Sequence, residues 1–307
     1  PPTARPGHAL VRTSHLSLCG SDIQMLHHAP DGSYPFPPGT TGHEMVGVIE
    51  SVGDANGPFH VGDRVLALAP GHQAMCELYA APLEHVLPLP SSKPIEVLLQ
   101  AQQLGTVLYA AQRLSNPIGK NVCVIGQGSA GLWFDFQLRR MGARRVVAID
   151  LEGFRLARSH AFGATHAINN ALTDPTAALR EKFDGELADV VVEAAGEVDS
   201  INLAVDLVKQ YGEILFFGYP RAQTFPFRFD QFFHKCCRAT TIVGAACEPD
   251  QTSTRIALEL IASGAADGEA LITHRMPFDA VIDAYELHRT RSDEAIKIVI
   301  EMPGAVS

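Results

Sequence analysis

The feature that most constrains this chain is a glycine-spaced turn set between a strand-like run and a helix-like run. The apolar residues Val122-Cys123-Val124-Ile125 lead into Gly126-Gln127-Gly128-Ser129-Ala130-Gly131, and an amphipathic stretch continues to Met141. Gly126 permits a tight turn, Gly128 lets backbone come close to a ligand, and Gly131 lets a helix pack closely against a strand. Arg139 and Arg140 fall in the last turn of the predicted helix and Gly142 just beyond it. Cations suit the negative end of a helix dipole there, and glycine suits a left-handed cap. Further strand candidates follow at residues 146–149, 166–168, 189–193, 213–217 and 240–243. This alternation of strand and helix predicts an α/β fold with a parallel sheet covered by helices.

Six strands in that order are the material of a Rossmann, doubly wound sheet. The helix start at Ser129 and Ala130 offers unpaired N–H groups and a positive dipole end to phosphate. Asp150 ends the second strand, some two dozen positions after Gly126. A carboxylate there accepts hydrogen bonds from ribose hydroxyls and repels a 2′-phosphate, which predicts NAD over NADP. Arg155, expected near the same ribose, tempers that preference.

The first part of the chain has a different character. Short β-type runs occur at His8-Ala9-Leu10-Val11-Arg12, at Met45-Val46-Gly47-Val48-Ile49-Glu50 and at Arg64-Val65-Leu66-Ala67-Leu68, with a turn signal at Val61-Gly62-Asp63. They predict a small, irregular all-β domain. After Gly244 a helix is expected over residues 252–263. A final strand at Ile296-Lys297-Ile298-Val299-Ile300 is placed to pair with the N-terminal strands. The expected division is 1–95 with 247–307 as one discontinuous domain, and 96–246 as the dinucleotide-binding one.

A formal net charge of −10 argues against nucleic acid or an anionic membrane as partner. No apolar run approaches the roughly 20 residues that span a bilayer, and the start at Pro1-Pro2-Thr3 shows no basic-then-apolar leader. Cys19, Cys76, Cys123, Cys236, Cys237 and Cys247 include no CxxC pair, so reduced thiols in a cytoplasmic protein are expected.

Leu18-Cys19-Gly20-Ser21-Asp22 and Gly39-Thr40-Thr41-Gly42-His43-Glu44 hold the remaining chemistry. A Cys thiolate and a His imidazole are zinc ligands, and a catalytic zinc takes three protein ligands and leaves a fourth position open. Asp22 is suited to orient the His43 ring through its other nitrogen. Taken singly, Cys19 also reads as a buried thiol and His43 as an ordinary core or surface histidine.

The stretches LCGSD, GTTGHEMVGVIESVG, VGDRV, VIGQGSAG, VVAIDLEGFRLARSHAFGATHAIN, DVVVEAAG and GEILFFGYP together resemble the medium-chain, zinc-type alcohol dehydrogenases, in flavour the sorbitol and threonine dehydrogenase branch. The resemblance runs over nearly the whole chain. It implies an α/β fold with a Rossmann sheet plus a discontinuous GroES-like β domain. It also implies zinc ligands Cys19 and His43, Glu44 as a carboxylate able to contact the metal, and Ser21 as the hydroxyl that relays the alcohol proton. The family's third ligand, Cys or Glu, corresponds to Gln102, whose neutral amide oxygen is a weaker donor. Gln24 stands where the family often carries a proton-relaying His. A β segment ahead of Pro6 and the four-cysteine lobe of a structural zinc have no counterpart in the sequence, so one catalytic ion is implied. Ala195, Gly218 and Ala245 are expected along the cofactor groove, and Lys297 near the pyrophosphate and Glu44. Lys297 reads equally well as a solvated lysine.

The resemblance implies reversible oxidation of a secondary alcohol or polyol with NAD, by a homo-oligomer, dimer or tetramer. Two rivals remain on the residues alone: a zinc-free NAD(P)H-dependent enone or quinone reductase, and a non-catalytic NAD(H)-binding protein. Gln102 keeps the second alive; the set Cys19, Ser21, Asp22, His43 and Glu44 argues against the first.

Overall fold

The computed structural model describes residues 2–30, 32–54 and 56–305; Pro1, Asp31, Ala55, Val306 and Ser307 lie outside the described residues. Packing divides the chain into two compact units. One runs to Thr106 and resumes at Ala245, and the other is Val107–Gly244. The first break in packing comes about a dozen residues after the expected boundary at residue 95. Ile95, Val97 and Leu98 are buried, in a short helix that packs on the helix Thr252–Ala262 and on strands of the first unit.

In chain order the strands of the first unit are β1 (His8–Ser17), β2 (Glu44–Val52), β3 (Arg64–Leu68), β4 (Leu78–Pro82) and β5 (Val86–Pro88). Those of the second are β6 (Asn121–Ile125), β7 (Arg145–Asp150), β8 (His166–Asn169), β9 (Ala188–Glu193), β10 (Val208–Phe216) and β11 (Arg238–Thr241). The returning segment adds β12 (Ile272–Pro277) and β13 (Lys297–Glu301) to the first unit.

The first unit's sheet has the order β12-β13-β1-β2-β3-β5, with β4 also pairing β1. The last strand thus lies beside the first, antiparallel, with Ser17 opposite Val299 and Leu16 opposite Ile300. On its other side Leu16 faces Met45 of β2. These two registers set the end of β1, the start of β2 and the start of β13 side by side.

The second unit is a six-stranded sheet of order β11-β10-β9-β6-β7-β8, parallel at every pairing. Its central strands are apolar between their ends: Val122, Val124, Val147, Ile149, Val190 and Val192 are all buried, as strands covered on both faces require. Chain order reverses between β6 and β9, and a ligand-binding crevice is expected at such a switch point. The glycine turn follows β6.

Candidate metal centre and dinucleotide turn

In the first unit, Cys19 is the N-cap of the helix Gly20–His28. Its backbone N–H donates to Asp22 Oδ2 at 2.9 Å, and Gly42 N–H donates to Asp22 Oδ1 at 3.1 Å. Asp22 therefore ties the start of that helix to the loop that carries His43. Burial opposes its ionisation, but His43, His72 and the Cys19 N–H outweigh burial and hold the carboxyl well below the usual range. Burial likewise works against the His43 cation, while Asp22 and Cys19 win and raise its pKa.

Cys19, His43 and Glu44 each point one donor atom into a common space, with those atoms within 4.8 Å of one another. Glu44 Oε1 lies 3.8 Å from His43 Nε2 and is buried with no hydrogen-bond partner. The opposite oxygen is fully committed. Glu44 Oε2 accepts from Lys297 Nζ at 2.5 Å and from the Ser17 hydroxyl, and Lys297 also donates to Leu18 O at 3.3 Å. Lys297 has no solvent exposure, so the solvated reading of this lysine is corrected: strand register places it on Glu44.

Gln102 is the helix residue expected as the third ligand. It is Gln103 whose amide reaches the thiol, with Nε2 4.0 Å from Cys19 Sγ. One step along a helix turns a side chain by about 100°, and Gln103 is buried where Gln102 is half-buried. In this orientation Gln103 is a donor to the sulfur. Ser21 Oγ is buried with no hydrogen-bond partner. Gln24 donates to His28 O at 3.3 Å.

The sequence reading missed His72. It belongs to a second group, Asp22, His43 and His72, because backbone bonds zip two loops together: Thr41 N–H donates to His72 O at 2.8 Å and Ala74 N–H to Gly42 O at 3.1 Å. Nothing in the residue pattern around Gly71-His72-Gln73 signals that meeting.

In the second unit, Gly126 adopts φ +91°, and a Cβ on Gly131 would stand 1.8 Å from the Gly126 carbonyl oxygen. Only glycine fits that helix start. Ser129 and Ala130 open the helix Ser129–Arg140. Asp150 braces the turn directly, since Gln127 N–H donates to its Oδ2 at 2.6 Å and Glu152 N–H to its Oδ1 at 2.9 Å. Arg155 Nη1 lies 4.0 Å from the same carboxylate and 3.8 Å from where a Gly128 Cβ would be.

A second strand-end acid, Glu193, has the parallel task and was not foreseen. Its Oε1 accepts from Ala195 N, Gly196 N and Ser200 Oγ at 2.7–2.8 Å, and its carbonyl accepts from Gly218 N–H at 2.9 Å. The available signal was an acid ending an otherwise apolar strand, as at Asp150. Ala195 and Gly218 thus stand in the Rossmann unit, whereas Ala245 and Lys297 stand in the other. No described helix is long and apolar enough to cross a membrane.

A parallel doubly wound sheet with this turn has the form of a dinucleotide-type oxidoreductase, and Cys19, His43 and Glu44 offer the donor types of a metal site. Residues 5–91 match the family model of the alcohol dehydrogenase GroES-like domain and residues 136–263 that of the zinc-binding dehydrogenases. An alcohol dehydrogenase of Cupriavidus necator is 28% identical over 348 residues, covering 98% of this chain and 93% of the relative. That alignment is longer than the chain, so the relative carries segments that are not found here. Rat sorbitol dehydrogenase is 26% identical, over 93% of this chain and 87% of its own. Among solved structures, alcohol dehydrogenase TADH from Thermus sp. ATN1 superposes with a TM-score of 0.83 at 26% identity, covering 99% and 94% of the two chains. The chain belongs to the zinc-type medium-chain alcohol dehydrogenase family, whose members use zinc and NAD(P).

Proposed function

We propose that this protein reversibly oxidises a secondary alcohol or polyol to the carbonyl compound, with NAD as hydride acceptor and one zinc ion held by Cys19, His43 and Glu44. The observation that carries the reading is the three-donor group itself. A soft thiolate, an imidazole and a carboxylate with one free, buried oxygen are the ligand types of a catalytic zinc, and three such donors leave one position for substrate. The buried orphan Glu44 Oε1 supports Glu44, and not Gln102, as the third donor.

When bound, zinc supplies a Lewis acid for the substrate oxygen and the nicotinamide accepts hydride. The chain's own residues prepare the rest. Asp22 fixes the orientation of His43, while Lys297 and Ser17 pin Glu44 by one oxygen and leave the other free. Ser21, with a buried and unpartnered hydroxyl, receives the alcohol proton. The N–H groups at Gly128, Ser129 and Ala130 take the pyrophosphate. Asp150 and Arg155 take the adenosine ribose, and the carboxylate disfavours a 2′-phosphate. Ala195 and Gly218 border the cofactor. Relatives named for sorbitol, D-xylulose and L-threonine support polyols and related secondary alcohols as the substrate class.

Metal content and turnover test this together. Purified protein is expected to hold zinc and to form NADH with secondary alcohols or polyols, and Cys19→Ala is expected to lose both. Metal-free protein that reduces enones with NAD(P)H and ignores every alcohol overturns the proposal.

A further inference from the structure

His43 presents two edges, and the group around Glu44 uses one of them. The Nε2 edge faces Glu44 Oε1. The Nδ1 edge faces Asp22 Oδ1 at 3.6 Å, and His72 Nδ1 stands 3.5 Å from that same oxygen. The two imidazoles lie with ring centroids 4.4 Å apart. Both Nδ1 atoms are buried and neither has a hydrogen-bond partner.

Those separations are long for N–H···O hydrogen bonds, which cluster near ~2.9–3.0 Å. They are close to the edge of a coordination tetrahedron: metal–ligand bonds of about 2.0–2.2 Å at tetrahedral angles put donors about 3.4 Å apart. Two orphaned imidazole nitrogens converging on one buried carboxylate oxygen form a donor set of the right type for a divalent transition ion.

The backbone is committed to this arrangement. Thr41 has φ +81° and His72 φ +51°, left-handed conformations that are uncommon outside glycine and costly for a β-branched residue. Thr41 is held by the bond to His72 O and by its hydroxyl against Tyr285 Oη at 2.6 Å. Asp22, fully buried, is fixed by the Cys19 and Gly42 N–H groups. His72 is about a quarter exposed, so an ion can enter past it from solvent.

We propose that Asp22, His43 and His72 form a second divalent-cation position, on the Nδ1 edge of His43, distinct from the Cys19–His43–Glu44 position on its Nε2 edge. The ligand class is a borderline transition ion with a preference for imidazole, such as Zn²⁺, Co²⁺ or Ni²⁺. The ion takes the place of the His43 Nδ1 proton, which leaves to solvent, so that with both positions filled the His43 ring is a bridging imidazolate and Asp22 holds the ion instead of orienting the ring directly. The position shares His43 with the proposed zinc site and takes over Asp22, and the sulfur band, which only the Cys19 position can give, keeps the two readings apart.

Titration of the metal-stripped, full-length protein with Co²⁺ alone tests it, read by metal stoichiometry and by the sulfur-to-cobalt absorption band. Two ions per chain are expected, only one of them giving the sulfur band. His72→Ala is expected to keep the sulfur-ligated ion and lose the other. Cys19→Ser is expected to lose the sulfur band and keep one ion, and the double variant to bind none. A His72→Ala protein with unchanged stoichiometry and affinity overturns the second position. So does a folded Cys19→Ser protein, judged by circular dichroism, that binds no ion. Failure of the zinc-dehydrogenase reading looks different: no sulfur band in the unaltered protein. If Cys19→Ser does not fold, the His72→Ala stoichiometry decides alone.

Discussion

Asp135 lies fully buried in the middle of the helix Ser129–Arg140. Burial pushes its carboxyl well above the ordinary carboxylate range, and the nearby Gln127 amide offsets only part of that. The folded chain therefore keeps a proton that the unfolded chain releases above about pH 4. The stability this group allows is fully present below that pH. It falls as pH rises, by about 1.4 kcal/mol per unit, until the folded carboxyl ionises. Each unit over which that slope holds is a sizeable share of a domain's ~5–15 kcal/mol. Asp135→Asn cannot ionise, so its stability relative to the unaltered protein should climb along that slope as pH rises from about 4. Urea unfolding at each pH, followed by the fluorescence of Trp133, reads the effect. Trp133 is the single tryptophan and is fully buried on the same helix, so the signal reports this unit. A stability difference constant to within about 0.5 kcal/mol from pH 4 to pH 7 refutes a buried neutral acid at this position.

Gly131→Ala should abolish NADH binding, because the new Cβ meets the Gly126 carbonyl at 1.8 Å; NADH fluorescence titration checks it, with zinc content expected to be unchanged. Lys297→Met strands a buried carboxylate and should cost about 3–5 kcal/mol of stability in metal-free protein. Adding Glu44→Gln should recover most of that in denaturant titrations followed by circular dichroism. Asp150→Ala leaves the Gln127 and Glu152 N–H groups without their acceptor and removes the repulsion of a 2′-phosphate. NAD affinity should fall by roughly tenfold or more, about 1–3 kcal/mol, while the preference for NAD over NADP narrows in parallel titrations.

The parallel sheet was legible because its strands are buried on both faces and read as unbroken apolar runs. β10 shows where that signal stops. It begins at Val208, earlier than the run at residue 213 suggested, because Lys209, Gln210 and Tyr211 interrupt the apolar pattern at a shift of register. Tyr211 there takes a positive φ. In the first unit, Cys19, His43 and Glu44 were legible as ligand types, being short-range motifs. The identity of the helix residue facing Cys19 was not, since a single step of register separates Gln102 from Gln103. Lys297 was ambiguous because its burial depends on β13 lying beside β1, a long-range pairing. His72 was invisible for a similar reason: its meeting with Asp22 arises from two loops zipped by backbone hydrogen bonds, which carry no side-chain signature. The aromatic residues between 225 and 233 divide in the structure. Phe227 and Phe232 pack on the core of the second unit, while Phe229 and Phe233 are exposed.

The pairing of β13 with β1 has a consequence for synthesis. Glu44 and its lysine are 253 positions apart, so during translation at about 5–20 residues per second the carboxylate waits roughly 13–50 s for its counter-ion. The Rossmann unit, contiguous from Val107 to Gly244, has all its strands in hand before then and is free to fold first. The first unit closes last, when the final strand slots in beside the first. A ribosome stalled, or a chain clipped, a few residues short of Lys297 would carry a finished nucleotide module attached to a sheet with an open seam and an unneutralised acid. Quality control would then meet the exposed edge of β1 rather than a broken Rossmann fold.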